Sequence, residues 1–148
     1  MGAQGTRLQF SGHGPFALTR DAIKENVKES PDVYRIRAFD ADGRPVRVSR
    51  ANGEDPRGVL HIGQSIRLRG RIRDFLQAAQ GRRAPHHAGI EFHKWGFGKR
   101  YPLDHLRFDF IPASNAEEAK RLERESHLAY RRRYLDRPPL DGTSGQSK

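Results

Sequence analysis

The 148-residue chain contains no cysteine. That absence excludes disulfides, thiolate zinc sites and cysteine nucleophiles together, and it leads us to expect a cytoplasmic protein. Long hydrophobic runs are missing too: nothing approaches the roughly 18 apolar residues that a membrane span requires. The opening Met1-Gly2-Ala3-Gln4-Gly5 lacks a basic segment followed by an apolar one, so no signal peptide is expected. There is no internal repeat, and the length suits one domain with a modest core.

Acidic residues are in deficit, 18 against 28 lysines and arginines, which gives a formal charge of +10. Most of the basic residues are arginine, whose planar fork of donors pairs with phosphate at two points. A basic surface attracts a polyanion and releases its counterions, so nucleic acid is the expected partner. An acidic membrane surface is the competing class. No amphipathic helix offers a free apolar face to it, so no membrane association is expected. Charge alone does not say whether the partner is cut.

Residues 1–18 are glycine-rich and aperiodic, and are expected to be loose. Thr19 caps a predicted helix over residues 20–28, with Ile23 and Val27 on one face, and Ser30-Pro31 stops it. Residues 33–39 read as a strand in which Arg35 and Arg37 alternate with Tyr34 and Ile36. After the turn Asp40-Ala41-Asp42-Gly43, extended pieces are expected at 45–49 and 58–62, with a loop over 50–57. Ser65 is the expected cap of a helix over 66–80, in which Leu68, Ile72, Phe75, Leu76 and Ala79 keep the helical period. The stretch 82–104 holds His86, His87, His93 and Trp95 among glycine and proline and reads as irregular. Leu106, Phe108 and Phe110 mark another strand. Ser114 and Glu117 form a capping-box pattern opening a helix to about Leu135, which Pro138-Pro139 ends.

The order of these parts carries a resemblance. A strand with Asp32-Val33-Tyr34-Arg35-Ile36 precedes one with Leu60-His61-Ile62-Gly63-Gln64-Ser65. Arg71 follows Gly63 by eight residues on a helix, a last helix carries glutamates, and Pro138-Pro139-Leu140 closes the pattern. Over residues 31–141 this resembles the GIY-YIG nuclease family, which is named for its two short strand motifs. The resemblance implies an α/β fold of the α+β type: a small, largely antiparallel central sheet flanked by helices. Residues 1–30 would then be an N-terminal extension with a short helix, and 142–148 a disordered tail.

It also implies a site. Tyr34 matches the first motif tyrosine, and His61 stands where the family usually has the second, both facing one cleft. A neutral imidazole accepts a proton near pH 7 more readily than a phenol does. Gly63 matches the family glycine, where a side chain would crowd a phosphate or the helix start. Arg71 edges the apolar stripe beside Leu68 and Phe75, and would hold the scissile phosphate and offset charge in the transition state. Ala119 four residues before Glu123 and Tyr130 seven after it satisfy the family spacings; Glu125 satisfies neither. Glu123 is thus the implied catalytic carboxylate and the ligand of Mg²⁺, or another divalent cation, which keeps most of its waters.

The implied activity is metal-dependent endonucleolytic hydrolysis of DNA. Tyr34, with His61, would take the proton of the attacking water. An ordinary phenol titrates near 10, so this role needs nearby positive charge, for which Arg71 and the metal are the sources. Gly63, Arg67, Arg69 and Arg73 are the expected nucleic-acid contacts, with simple solvation the alternative for the three arginines. Asp141 stands where the family has asparagine. Together with His61 it favours the rival expectation, a nucleic-acid-binding module on the same scaffold that does not cut. One of His86, His87 and His93 would assist in the cleft, or all three are solvated loop residues. The 26 residues from Arg35 to Leu60 include Arg44, Arg47, Arg50 and Arg57, and form either a DNA-contacting flap or a longer decorated hairpin.

Overall fold

The computed structural model describes residue 10 and residues 13–142. Most of the expected loose segment 1–18 lies outside the described residues, and so does the expected tail beyond Gly142. Strand β2 (Asp32–Ala38) runs between β6 (Leu106–Pro112) and β5 (Val59–Ser65), antiparallel to both. A two-residue strand β1 (Phe16–Ala17) pairs with the far side of β6, giving the order β1-β6-β2-β5. The sheet is therefore antiparallel throughout, and helices cover both of its faces. Residues 16 and 17 are ladder-bonded rather than loose, because β6 would otherwise present an open edge.

Strand alternation sorts β2 into two faces. Tyr34, Ile36 and Ala38 point to a core built with α1 (Arg20–Asn26), α2 (Leu68–Ala79) and α3 (His87–Lys94), where Ile23, Val27, Ile72, Phe75 and Phe92 are buried. Val33 points the other way and packs with Val59, Ile62 and Leu122, Tyr130 and Tyr134 of α4 (Ala116–Tyr134). Ile72 and Phe75 are fully buried. Each such side chain contributes about 1.5–3 kcal/mol, which outweighs any exposed ion pair on the same helix. Arg35 and Arg37 share the Val33 face and are largely, though not wholly, covered. Both bind Asp109 of β6, at 2.6 and 2.9 Å, so one carboxylate serves two guanidinium groups and the cluster keeps a net positive charge.

Several elements depart from expectation. Helix α2 begins at Leu68, not at residue 66, because Ser65 is still paired with Asp32 in the sheet. The Ser65 hydroxyl accepts from the Arg67 N–H instead, and the Glu29 carboxylate takes the Gly70 N–H. The supposedly irregular stretch contains α3, followed by 3₁₀ turns at Phe97–Lys99 and Leu103–His105. Helix α4 is capped by Asn115, whose side chain accepts from the Glu118 N–H, one residue beyond the expected Ser114. Leu135 ends that helix in the left-handed region at φ 54°, before the prolines are reached.

The insertion is a hairpin, β3 (Val48–Arg50) with β4 (Gly53–Asp55), where a loop was expected over 50–57. Its tip docks on the end of α4. The Asn52 N–H donates to Tyr134 O and the Asn52 amide to Arg133 O, satisfying carbonyls that helix geometry leaves open, and Arg50 donates to Arg137 O just beyond the helix. This geometry matches the longer decorated hairpin of the two expectations.

Candidate active site

Tyr34 and Gly63 are directly opposite in the β2–β5 ladder, and Ile36 is opposite His61. Residues facing each other across a ladder share a sheet face, so the phenol and the imidazole are neighbours. Tyr34 Oη and His61 Nε2 are 3.1 Å apart. The glycine is what allows this meeting. A Cβ at position 63 would stand 2.7 Å from Tyr34 Oη and 2.8 Å from His61 Nε2. The close approach expected at Gly63 is to these two side chains, before any phosphate is considered.

On its other side the phenol meets a histidine that the sequence did not single out. His86 Nε2 lies 2.7 Å from Tyr34 Oη, and His86 is wholly buried at the start of α3. Its Nδ1 caps that helix by accepting the Gly89 N–H. Burial, with His61 and Arg71 nearby, drives the His86 imidazole far below its usual range, so it is neutral. A neutral ring whose Nδ1 accepts must carry its proton on Nε2, and it therefore donates to Tyr34 Oη. Histidine is an uncommon helix cap, and Pro85-His86-His87 gave no periodic signal to expose it. His87 and His93 are elsewhere: His87 is exposed beside Glu91, and His93 packs over Gly81.

Asp141 closes the chain of bonds. It sits on a 3₁₀ turn (Pro139–Asp141) that Leu140 anchors in the core. One carboxylate oxygen lies 2.5 Å from His61 Nδ1, and the other accepts the Ile62 N–H at 2.9 Å. His127 of α4 donates to Ile62 O at 3.0 Å. Strand β5 is a sheet edge, so these two side chains occupy backbone groups of Ile62 that no strand can reach. The two positions that depart from the family pattern, His61 and Asp141, are thus bonded to each other.

Tyr34 itself is almost entirely buried, and burial pushes its phenol well above the usual range. Arg71 opposes that rise, while Asp141 and Glu123 reinforce it. Burial thus outweighs Arg71, one of the two sources of positive charge expected to bring Tyr34 down.

Arg71 acts on the phenol and also lines the surface. It donates to Pro85 O at 2.6 Å, which holds its guanidinium at the lip of the site. An open depression beside it is lined by Ser65, Ile66, Arg67, Gly70, Arg71, Arg73 and Asp74. Arg67 and Arg73 make no side-chain hydrogen bond or ion pair among the described residues and face this depression. Arg69 differs from them. It donates to Val27 O at 2.8 Å and Lys24 O at 3.2 Å, and so ties α2 to the end of α1.

The two glutamates separate cleanly. Glu125 pairs with Arg121 at 2.8 Å on the outer face of α4. Glu123 is half-buried and has no hydrogen bond or ion pair among the described residues. Burial raises its carboxyl; His127 and His61 oppose the rise and Asp141 adds to it. No group of three His, Asp or Glu side chains among the described residues is arranged to hold a metal ion. The donor set is therefore one open carboxylate, which fits a cation that keeps most of its water, such as Mg²⁺, and does not fit a closed protein cage.

Among the described residues no helix is long and apolar enough to cross a membrane. Comparison with protein-family models, with curated protein sequences and with solved structures gives no match to this chain.

Proposed function

We propose that this chain is a cytoplasmic GIY-YIG-type endonuclease that hydrolyses a DNA phosphodiester bond with the help of a divalent cation, Mg²⁺ or another. One observation carries the reading. Tyr34 Oη of β2 lies 3.1 Å from His61 Nε2 of β5, and the charges of Arg71 from α2 and Glu123 from α4 act on the phenol, with an arginine-lined depression beside Arg71. A basic depression is where a phosphate backbone gains most by shedding counterions.

Each residue has a task in that reading. Arg67 and Arg73 hold the strand through its phosphates, while Gly63 keeps the phenol and imidazole together. Arg71 holds the scissile phosphate and offsets the charge that grows on it. Tyr34 and His61 take the proton of the attacking water. Glu123 would hold the cation, which when bound supplies Lewis-acid polarisation of the phosphate and stabilises the leaving oxygen.

A second reading, binding without cutting, is favoured by a single observation: Tyr34 is only 1% exposed. Branched, nicked and duplex DNA incubated with the protein and Mg²⁺ distinguishes the two. The nuclease reading predicts cleavage that EDTA abolishes. A gel shift with every substrate intact supports binding alone.

A further inference from the structure

The two departures from the family pattern form one device. We propose that the reaction's proton is delivered to His61 Nε2 through the Tyr34 hydroxyl, with Asp141 as the positioning residue that keeps Nε2 free to receive it. This rests on the nuclease reading and adds the proton acceptor to it.

The hydrogen-bond partners fix a direction. His86 Nε2–H donates to Tyr34 Oη, so the Tyr34 proton must point away from His86. His61 Nε2 is the acceptor in reach at 3.1 Å. For Nε2 to accept, the proton of the neutral His61 ring must sit on Nδ1, and there it meets the Asp141 carboxylate at 2.5 Å. One set of protonation states satisfies all four side chains without leaving a donor facing a donor. Asp141 is in turn held by the Ile62 N–H, and Leu140 beside it is buried, so the carboxylate is fixed before any substrate arrives. Phe75 stacks over the His61 ring at 12° and 6.3 Å between centroids, which fixes its plane.

The surroundings favour a relay over a standing tyrosinate. A buried phenol is costly to ionise, but one that gives up its proton as it takes another never carries full charge. Water loses a proton to Tyr34 Oη as the Tyr34 proton moves to His61 Nε2. The electron pair of the broken water O–H bond forms the new P–O bond, and the departing ester oxygen leaves with the pair of the bond that breaks and takes a proton from solvent. The imidazolium is then held against Asp141 and returns its proton to solvent. The charged or titratable groups around it are Tyr34 from β2, Arg71 from α2, His86 from the start of α3, Glu123 and His127 from α4, and Asp141 from the closing turn.

Side-chain ¹⁵N NMR of the histidines tests the arrangement on the wild-type chain without an activity assay. The expected result is His61 with its proton on Nδ1 and a bare Nε2. In Asp141→Asn the amide oxygen still serves Ile62 N–H, but its NH₂ faces His61 Nδ1. The proton should therefore move to Nε2, and kcat should fall about 10²–10⁴-fold with unchanged DNA affinity. A wild-type His61 protonated on Nε2 overturns the proposal, and needs no variant to fold. So does an Asp141→Asn chain that cleaves at the wild-type rate. If His61 carries Nδ1–H but wild type cuts no DNA in Mg²⁺, the nuclease reading has failed. The proton role then falls with it, and the pair is left as a clasp on the edge of β5.

Discussion

Glu123 lies half-buried with no hydrogen bond or ion pair among the described residues, and burial raises its carboxyl. A raised carboxyl means that the folded chain disfavours the ionised form, so at neutral pH this residue works against stability. Glu123→Gln should raise Tm at pH 7 and at the same time abolish Mg²⁺-dependent cleavage; a lower Tm would show the carboxylate to be structural. Gly63 is the opposite case, required by space. Gly63→Ala should cost about 1–3 kcal/mol in denaturant unfolding and separate the phenol from the imidazole, because the new methyl group has nowhere to go. Asp32 supplies the clearest pH dependence. Burial lifts it from 3.8 to about 6, against the hydrogen bond from Ser30. The folded chain then holds the proton more tightly than the unfolded one. The stabilisation is present below pH 3.8 and is lost as pH rises through about 6. Asp32→Asn should therefore be more stable than wild type by about 2–3 kcal/mol at pH 8 and equal to it near pH 3.5. Thermal melts at the two pH values would reveal a constant offset if Asp32 did not titrate in this range.

Among the elements, α2 carries most of the proposed nucleic-acid contacts and was the most legible. Its apolar stripe of Leu68, Ile72, Phe75 and Leu76 is long and strongly periodic, and the position of Arg71 at its edge followed from that period. What spacing does not reveal is where a long side chain ends. Arg67, Arg69 and Arg73 look alike in sequence, yet Arg69 finds the carbonyls at the end of α1 while the other two face the depression. Arg67→Ala with Arg73→Ala should lower the slope of log affinity against log salt by about 2, and Arg69→Ala should leave that slope alone. Arg69→Ala should instead lower stability by about 1–2 kcal/mol, the value of charge-assisted bonds to a helix end. Equal slopes for all three would mean that the depression does not face DNA. Helix α3 was illegible for a different reason. It has eight residues, and its Gly89 resembles a breaker while in fact letting α3 approach α2, where a Cβ would stand 2.7 Å from Phe75 O. The caps of α2 and α4 each shifted by a residue or two because the sheet claimed Ser65 and Asn115 outcompeted Ser114. Such contests are decided by tertiary contacts.

At the scale of the molecule, strand periodicity located the strands, and the largely antiparallel sheet flanked by helices is what the resemblance implied. The site did not follow as completely. Tyr34, His61 and Gly63 meet across the β2–β5 ladder, but the burial of Tyr34 and the presence of His86 depend on how α3 folds over β2. The bond between His61 and Asp141 joins residues 80 apart, and no local pattern announces it. It also changes the meaning of two substitutions that, read singly, suggested a lost activity. The single-turnover rate of DNA cleavage in saturating Mg²⁺ therefore tests the account most directly, for wild type, Arg71→Ala and Glu123→Ala, with DNA affinity measured alongside in Ca²⁺. The account predicts Mg²⁺-dependent cleavage by wild type and a loss of about 10²–10³-fold or more in each variant at similar affinity. Wild type that leaves every DNA substrate intact, or variants that cut as fast as wild type, would contradict it.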